Sequence, residues 1–525
     1  MPHRVRPAPA GPGAATTVRT ALPYVHGCAH VGYAGRVVDP PTGTGPTLPS
    51  SASVPSLPSR PSVLRNGTYR RLFTAQVVAL AGTGLATVAL SLLAVDLAGD
   101  DAPAVLGTAL AIKMIAYVTV APLITAVADR VPRRTLMATA DLTRAGAALA
   151  LPLVTEVWQI HVLIVLLQAA SAAFTPAFQA TIPQVLPDEQ DYTRALSLSR
   201  LAYDLESLLS PLLAAALLTV VPYERLFTGT VVGFLASAAL VTATALPAPP
   251  PVERTGGIRT KAALGARLFR ATPRLRALLA LDLAVAAAGA VVLVDTVAVV
   301  RGLGRPAGAV PVALGAYGAG SVLAALALPR LLRHATDRTV MLSAASALPV
   351  VLAAVAVLTA AAPGAWSWPA LLGAWAAIGA ACSAVLTPGG RVVRRSTADA
   401  DLPAAFAARF SLSHGCWLIT YPLAGWLAPW AGPAPTVAAL GAVALAATAA
   451  AAASWPVHDP YRLEHLHPDL PPGHPHLADA RPSGRGWLHG HHYVIDRHHQ
   501  RWPGRDGSRR KTPGRSRRGS IRSPR

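Results

Sequence analysis

About a dozen apolar runs, each near twenty residues long and parted by short polar or charged turns, constrain this chain more than any other feature. An α-helix needs about 20 apolar residues to cross roughly 30 Å of hydrocarbon. A helix on a soluble core is polar along one face instead. The sharpest case is Ala121 to Arg144, where Asp129, Arg130, Arg133 and Arg134 crowd a short turn. Upstream, residues 104–128 are apolar apart from Lys113, and downstream, residues 135–154 are apolar apart from Asp141 and Arg144.

Composition agrees: 52% of residues are hydrophobic and 14% charged, against about a quarter charged in soluble domains. The expected class is an all-α integral membrane protein. A net charge of +21 is read by location, because Lys and Arg collect on cytoplasmic loops of membrane proteins. It therefore does not point to nucleic acid. Cys28, Cys382 and Cys416 form no CxxC and no pairing pattern, so no disulfide framework is implied.

In chain order, residues 1–68 are rich in Pro, Gly, Ser and Ala and lack a signal-peptide core, so a disordered cytoplasmic extension is expected there. Residues 69–246 hold six spans, near 72–95, 104–126, 136–155, 160–180, 196–220 and 226–246. Residues 247–276 form a basic linker with PAPPP and several Lys and Arg. Residues 277–455 hold six more, near 277–300, 308–329, 339–361, 369–388, 404–428 and 434–455. An even total of twelve puts both termini on one side. Tyr69-Arg70-Arg71 precedes the first span and Asp96, Asp100 and Asp101 follow it, which makes that side cytoplasmic. Further basic turns fall at Arg330/Arg333/Arg338 and Arg391/Arg394/Arg395; Arg301 and Arg305 are the exception, on the opposite side.

The turn Thr125-Ala-Val-Ala-Asp129-Arg130-Val-Pro132-Arg133-Arg134 resembles the signature loop of the major facilitator superfamily, Gly-x-x-x-Asp-Arg-x-Gly-Arg-Arg/Lys. Thr125 and Pro132 replace the two glycines; the charged positions match. The resemblance implies a secondary transporter in the plasma membrane, with Asp129, Arg130, Arg133 and Arg134 as a latch that holds the two halves together at the cytoplasmic face. The segment Phe174-Thr-Pro176 to Pro183 resembles the efflux-permease branch. The halves also resemble each other: Thr175-Pro176 matches Thr387-Pro388, Asp129-Arg130 matches Asp337-Arg338, and the helix opening at Arg194 matches that at Arg409. A parallel repeat around a midplane site is the design of this transporter class. No P-loop, nucleophile elbow or HExxH is present. The expectation is gradient-driven transport, with lipid, protons and a small substrate as partners and no enzymatic activity or cofactor.

Ionisable groups inside spans cost about 2.5–3.5 kcal/mol on insertion scales and mark a pathway or a buried pair. The candidates are Lys113, Arg200, Asp204, Glu206, Asp295, Arg409 and His414. Asp141 and Arg144, at i and i+3, can pair on one helix face, as a structural or gating pair, and Arg200 with Asp204 has the same property at i and i+4. Lys113 lies near the midplane and needs a carboxylate; Asp204 or Glu206 is its expected counter-ion, either as a proton-linked switch or as a fixed pair. Asp282 lies near the inner end of the seventh span and Asp295 in its outer half, too far apart to form an acid–base couple.

Residues 456–525 are different in kind, rich in His and then in Arg. His465, His467, His474, His476, His489, His491 and His492 are candidate metal ligands, since neutral imidazole suits Ni, Co, Cu and Zn. The tail is similar to the histidine-rich tails of nickel-resistance exporters in the superfamily. A polar tail with no selected metal is the alternative. The terminal Arg cluster suits anionic lipid, at about 1 kcal/mol per basic residue.

Three functions follow as expectations: proton-coupled efflux of a small organic solute, export of a divalent metal such as nickel or cobalt, or a transporter-like sensor or scaffold. The topology is checked by thiol labelling. Cysteines placed by Arg133→Cys and Arg394→Cys are expected to resist an impermeant maleimide in intact cells and to react in inverted vesicles; labelling from outside would overturn the orientation.

Overall fold

The computed structural model describes residues 62–98, 102–128, 131–247, 258–460, 462–468, 470–484, 486–496, 498–499 and 502. The chain divides into Met1–Arg60, outside that set, and Pro61–Arg525, which contains all of it.

With no water to bond the backbone in hydrocarbon, a spanning segment must satisfy its own N–H and C=O groups, which selects helices here. The first half is α1 (Gly67–Ala98), α2 (Ala102–Ala128), α3 (Arg133–Ala150), α4 (Val157–Val185), α5 (Glu189–Leu218) and α6 (Glu224–Thr242). After the linker come α7 (Ile258–Ala271) and α8 (Pro273–Ala290), which runs through a π-turn at Val291–Asp295 into α9 (Thr296–Gly302). Then follow α10 (Val310–Leu331), α11 (Asp337–Ala360), α12 (Ser367–Leu386), the short α13 (Gly389–Arg395), α14 (Leu402–Ala431) and α15 (Pro433–Ser454). Taking α8 with α9 and α12 with α13, twelve long segments match the expected crossings. Among the described residues nine are long and apolar enough to span by themselves. The remaining three, α3, α5 and α14, carry intramembrane charges.

The seventh span begins at Pro273 rather than at residue 277, and the linker contains a helix. Proline at the first helical position is already set for the turn. Arg274, which reads as a linker charge, is buried because Asp459 of the tail pairs with it at 2.8 Å. Trp158, Trp366, Trp426 and Trp430 are exposed at the end of the bundle opposite the basic turns, where aromatic rings suit a membrane interface.

Within the first half α1 packs on α6, α3 on α4 and α6, and α2 on α4; within the second α10 packs on α12, and α15 on α8 and α11. Between the halves, α2 meets α14 and α5 meets α10, an exchange expected of a parallel repeat. The α10/α12 crossing is the closest: a Cβ on Gly320 would collide with the Ala376 carbonyl, and one on Gly379 with that of Tyr317. Small residues let membrane helices approach this way.

The tail is folded. Strands β1 (Arg462–His467), β2 (Arg481–Ser483) and β3 (Gly486–His492) form an antiparallel sheet in the order β1-β3-β2, with His465 opposite His489 and Leu463 opposite His491. Gly486 opens β3 at φ 134°, in a corner where a Cβ would meet the His467 carbonyl. The sheet is an addition to the all-α expectation, which the membrane helices meet.

Gly379→Ala tests the helix crossing. Overpacking is expected to cost about 1–3 kcal/mol, outweighing a propensity gain of about 1 kcal/mol, so the thermal midpoint in detergent falls. A raised midpoint would contradict the close approach.

Candidate functional site

Three constellations use the residues that carry charge or metal chemistry. The first closes the seam at the basic end. Asp129 and Arg130 lie outside the described residues. Arg133 donates to Gln184 Oε1 at 2.7 Å, within its own half, and Arg134 is exposed. Contacts across the seam come from α13. Arg391 pairs with Asp337 Oδ1 of α11 at 2.8 Å and with Glu189 Oε1 of α5 at 2.6 Å, and it donates to Thr193 Oγ1. Arg394 donates to the Pro187 carbonyl at 2.8 Å and lies over the Tyr192 ring. A cavity of about 350 Å³ opens beside them, lined by Glu189, Thr193, Leu332 and Arg333 among others. Sequence reasoning treated Arg391 and Arg394 only as topology markers and missed Glu189. The available signal was Asp337, at the repeat position of Asp129.

The second constellation is at mid-membrane. Asp204 sits between Arg200 (2.6 Å) on its own helix and Ser321 Oγ (2.6 Å) on α10, and Arg200 also donates to Ser321 at 3.1 Å. This knot ties the halves. Asp204 therefore has a partner other than Lys113. Glu206 is half-buried and feels the Lys113 charge as its electrostatic neighbour. Lys113 Nζ lies 5.8 Å from the Tyr117 ring centroid, and Tyr117 packs tilted against Phe410 and edge-on against His414 of α14. Ser411 donates to the Val118 carbonyl on the same α2/α14 seam.

Other sequence candidates lie elsewhere. Asp141 and Arg144 do pair, and Ser237 of α6 donates to Asp141 at 2.6 Å while the guanidinium lies over Phe174 and Phe234. That pair knits α3, α4 and α6 inside one half. Arg409 donates to the Leu386 carbonyl at the end of α12, packed over Gly389 where a Cβ would collide. Asp295 is buried in the π-turn, with Oδ2 unpartnered among the described residues. Asp282 in α8 is 2% exposed, and neither of its oxygens has a hydrogen-bond partner among the described residues. The sequence does not single it out, since only packing reveals that its hydrogen-bond partners are missing.

The third constellation is in the tail. Alternate residues of a strand share a face, so β1 aims His465 and His467, and β3 aims His491, toward one point; the loops add His476 and His499. The five ligand atoms lie within 4.8 Å of one another. His465 Nε2 is 2.9 Å from both His467 Nε2 and His499 Nε2, and His499 Nε2 is 3.3 Å from the Nε2 atoms of His467, His476 and His491. Metal–imidazole bonds of about 2.0–2.1 Å imply nitrogen–nitrogen edges of roughly 2.9 Å in an octahedron and roughly 3.4 Å in a tetrahedron, so the spacing fits. Nδ1 of His465, His491 and His499 is bonded to the Leu463 carbonyl, the His492 carbonyl and Asp496 Oδ1 respectively. Such outer bonds fix the tautomer and turn the Nε2 lone pair inward.

Three expected ligands fall outside this group. His474 Nδ1 accepts from the His476 N–H, and His492 points from the opposite strand face to the Arg395 carbonyl at 2.8 Å. His489 touches the cluster by its ring, but its buried Nε2 is unpartnered among the described residues. His499 takes the place sequence spacing assigned to them, since a residue 34 positions from His465 is brought in only by folding.

Two six-helix halves that meet along α2/α14 and α5/α10, bridged by Arg391 and by the Arg200–Asp204–Ser321 knot, have the architecture of a membrane transporter. The chain belongs to the Major Facilitator Superfamily, whose family model matches residues 72–367. The fold resembles a human organic anion transporter (14% identity, 75% of this chain and 100% of that one, TM-score 0.60). It also resembles a bacterial homologue of the iron transporter ferroportin in an outward-facing state (14% identity, 74% and 99%, TM-score 0.63). A third is the E. coli fucose:proton symporter (16% identity, 76% and 100%, TM-score 0.57). At these identities the likeness is one of fold. No curated protein matches the chain in sequence.

Burial and then neighbouring imidazoles hold His465 at about 3 and His467 and His476 at about 4, below the ordinary 6.5. The unfolded imidazole takes a proton at 6.5 and the folded one does not, so the tail's stability is complete above 6.5 and is lost as pH falls toward 4. Protection of β3 amides, corrected for intrinsic exchange, is expected to collapse in that window; protection unchanged at pH 4 would contradict the burial.

Proposed function

We propose that this protein is a proton-coupled exporter whose cargo is a divalent transition metal ion of the nickel and cobalt class. The observation that carries the reading is the five-imidazole cluster at the basic end. Neutral nitrogen donors with fixed tautomers are the set such ions prefer over Mg or Ca. Basic turns mark the cytoplasmic face, so the cluster meets metal before transport, as export requires. In that orientation the closed α13/α5 contacts make this an outward-facing arrangement.

Proton coupling is supported by two acids. A carboxylate buried without hydrogen bonds costs several kcal/mol or more, and taking up a proton removes that cost at Asp282, both of whose oxygens lack a hydrogen-bond partner among the described residues. Glu206 is the second, with the Lys113 charge as its electrostatic neighbour in the same half. The Arg391–Glu189 pair crosses the seam and is one that rocking must break; the Asp141–Arg144 pair, inside one half, stays intact.

A second reading has its own observation. Lys113 and Arg200 bring two cationic side chains to mid-membrane, beside Tyr117 and Tyr317 respectively, which disfavours passage of a bare divalent cation. Efflux of a small organic solute suits that lining better, with the metal acting on the tail alone.

Proteoliposomes with an imposed pH gradient separate the readings. Nickel or cobalt flux that is lost on Lys113→Ala or Asp282→Asn, with protein still inserted, supports metal export. Organic-solute flux without metal flux supports the second reading, and metal binding with no flux of either would replace both with a sensor or scaffold. Wild-type flux in both variants would end the proton assignment.

A further inference from the structure

The tail is anchored to the helix that closes the seam. Asp459 pairs with Arg274 at the start of α8, and its backbone carbonyl accepts from Arg395 at 2.6 Å. His492 bonds the Arg395 carbonyl. The Arg274 guanidinium is sandwiched further by the Trp502 ring, 5.0 Å away. Arg395 is the last residue of α13, and Arg391 and Arg394 of the same helix grip α5. Seven residues make a helix too short to hold its own geometry. Its position depends on what touches each side.

The three-stranded sheet is small and brings together five imidazoles whose inward lone pairs repel. A cation among them turns that repulsion into bonds, so metal adds to the order the sheet has without it. His491, in the cluster, is directly followed by His492, the residue on Arg395. We propose that the tail is a metal-operated brace for the gate: occupancy of the five-imidazole site orders β3, fixes Arg395 through His492 and Asp459, and thereby holds α13 in the position from which Arg391 and Arg394 close the seam onto α5. Metal in the compartment facing the basic end thus favours the closed-gate conformation, by no more than its preference for the docked tail over the undocked one.

The inference rests on the metal reading of the cluster but not on metal being the cargo. It is tested on the full chain in nanodiscs, with natural cysteines replaced and spin labels at Gln190→Cys and Arg333→Cys, on either side of the cavity at the seam. The probe is Zn²⁺ alone, which is diamagnetic and suits imidazole; binding is followed in parallel by calorimetry. The expected result is a rise of about fivefold in the ratio of short to long label distances on adding Zn²⁺. His499→Ala is expected to abolish binding and response together. The double variant His492→Ala/Asp459→Asn is expected to bind Zn²⁺ and show no response. Binding without any change of distance in the wild type overturns the brace and leaves the metal site standing, as does a full response in the double variant. No binding in the wild type overturns both.

Discussion

Charge in a medium without water is the constraint on which the rest of this structure depends. Hydrocarbon offers a buried ion no partner, so each must be met by another side chain or exist uncharged. Removing one member of a buried pair costs about 3–5 kcal/mol, because the other is left exposed to the low dielectric. Asp141 with Arg144 and Ser237, Arg200 with Asp204 and Ser321, and Arg274 with Asp459 each therefore fix two or more segments at once. Where such a knot lies within one half it makes that half rigid. Where it lies on the seam it becomes a joint that can exist in two states.

The basic end illustrates how strength is distributed across that joint. Arg391 has one charged partner in its own half, Asp337, whose side chain is 8% exposed, and one across the seam, Glu189, 69% exposed, beside a hydrogen bond to Thr193 Oγ1. The buried pair is costly to break, whereas exposed pairs are worth about 0–1 kcal/mol. The charge of Arg391 is thus held mainly by the second half. A gate that must open in every cycle needs this inequality, and one bonded equally to both sides would lock. α13 is the element on which these contacts converge, since its far end meets the tail.

Much of the architecture was legible from residues alone. The twelve spans, the basic turns and the repeat were readable because apolarity over twenty residues is a local property. Pairs on one helix, Asp141 with Arg144 and Arg200 with Asp204, were readable because helical spacing alone brings i, i+3 and i+4 together. That the helix carrying the seventh span starts at Pro273, with Arg274 buried, was not readable, because Arg274 counts as a linker charge until Asp459, 185 positions away, is known to neutralise it. The metal ligands were half-readable: strand alternation selects His465, His467 and His491, while His499 enters from a turn held by Asp496.

By itself, then, the order of residues determined the solvent this protein lives in, its two-fold internal repeat, its charged face and the family to which it belongs. These follow from hydrophobicity and spacing, which act over a few turns of helix. Tertiary structure alone decided that Ser321 joins Arg200 and Asp204, that Arg391 and Arg394 bond across the seam, that Asp282 has no hydrogen-bonding neighbour among the described residues, and which five imidazoles converge. Each of those depends on groups from remote segments meeting within a few ångströms, and a short-range electrostatic contact leaves no mark on the sequence between its ends.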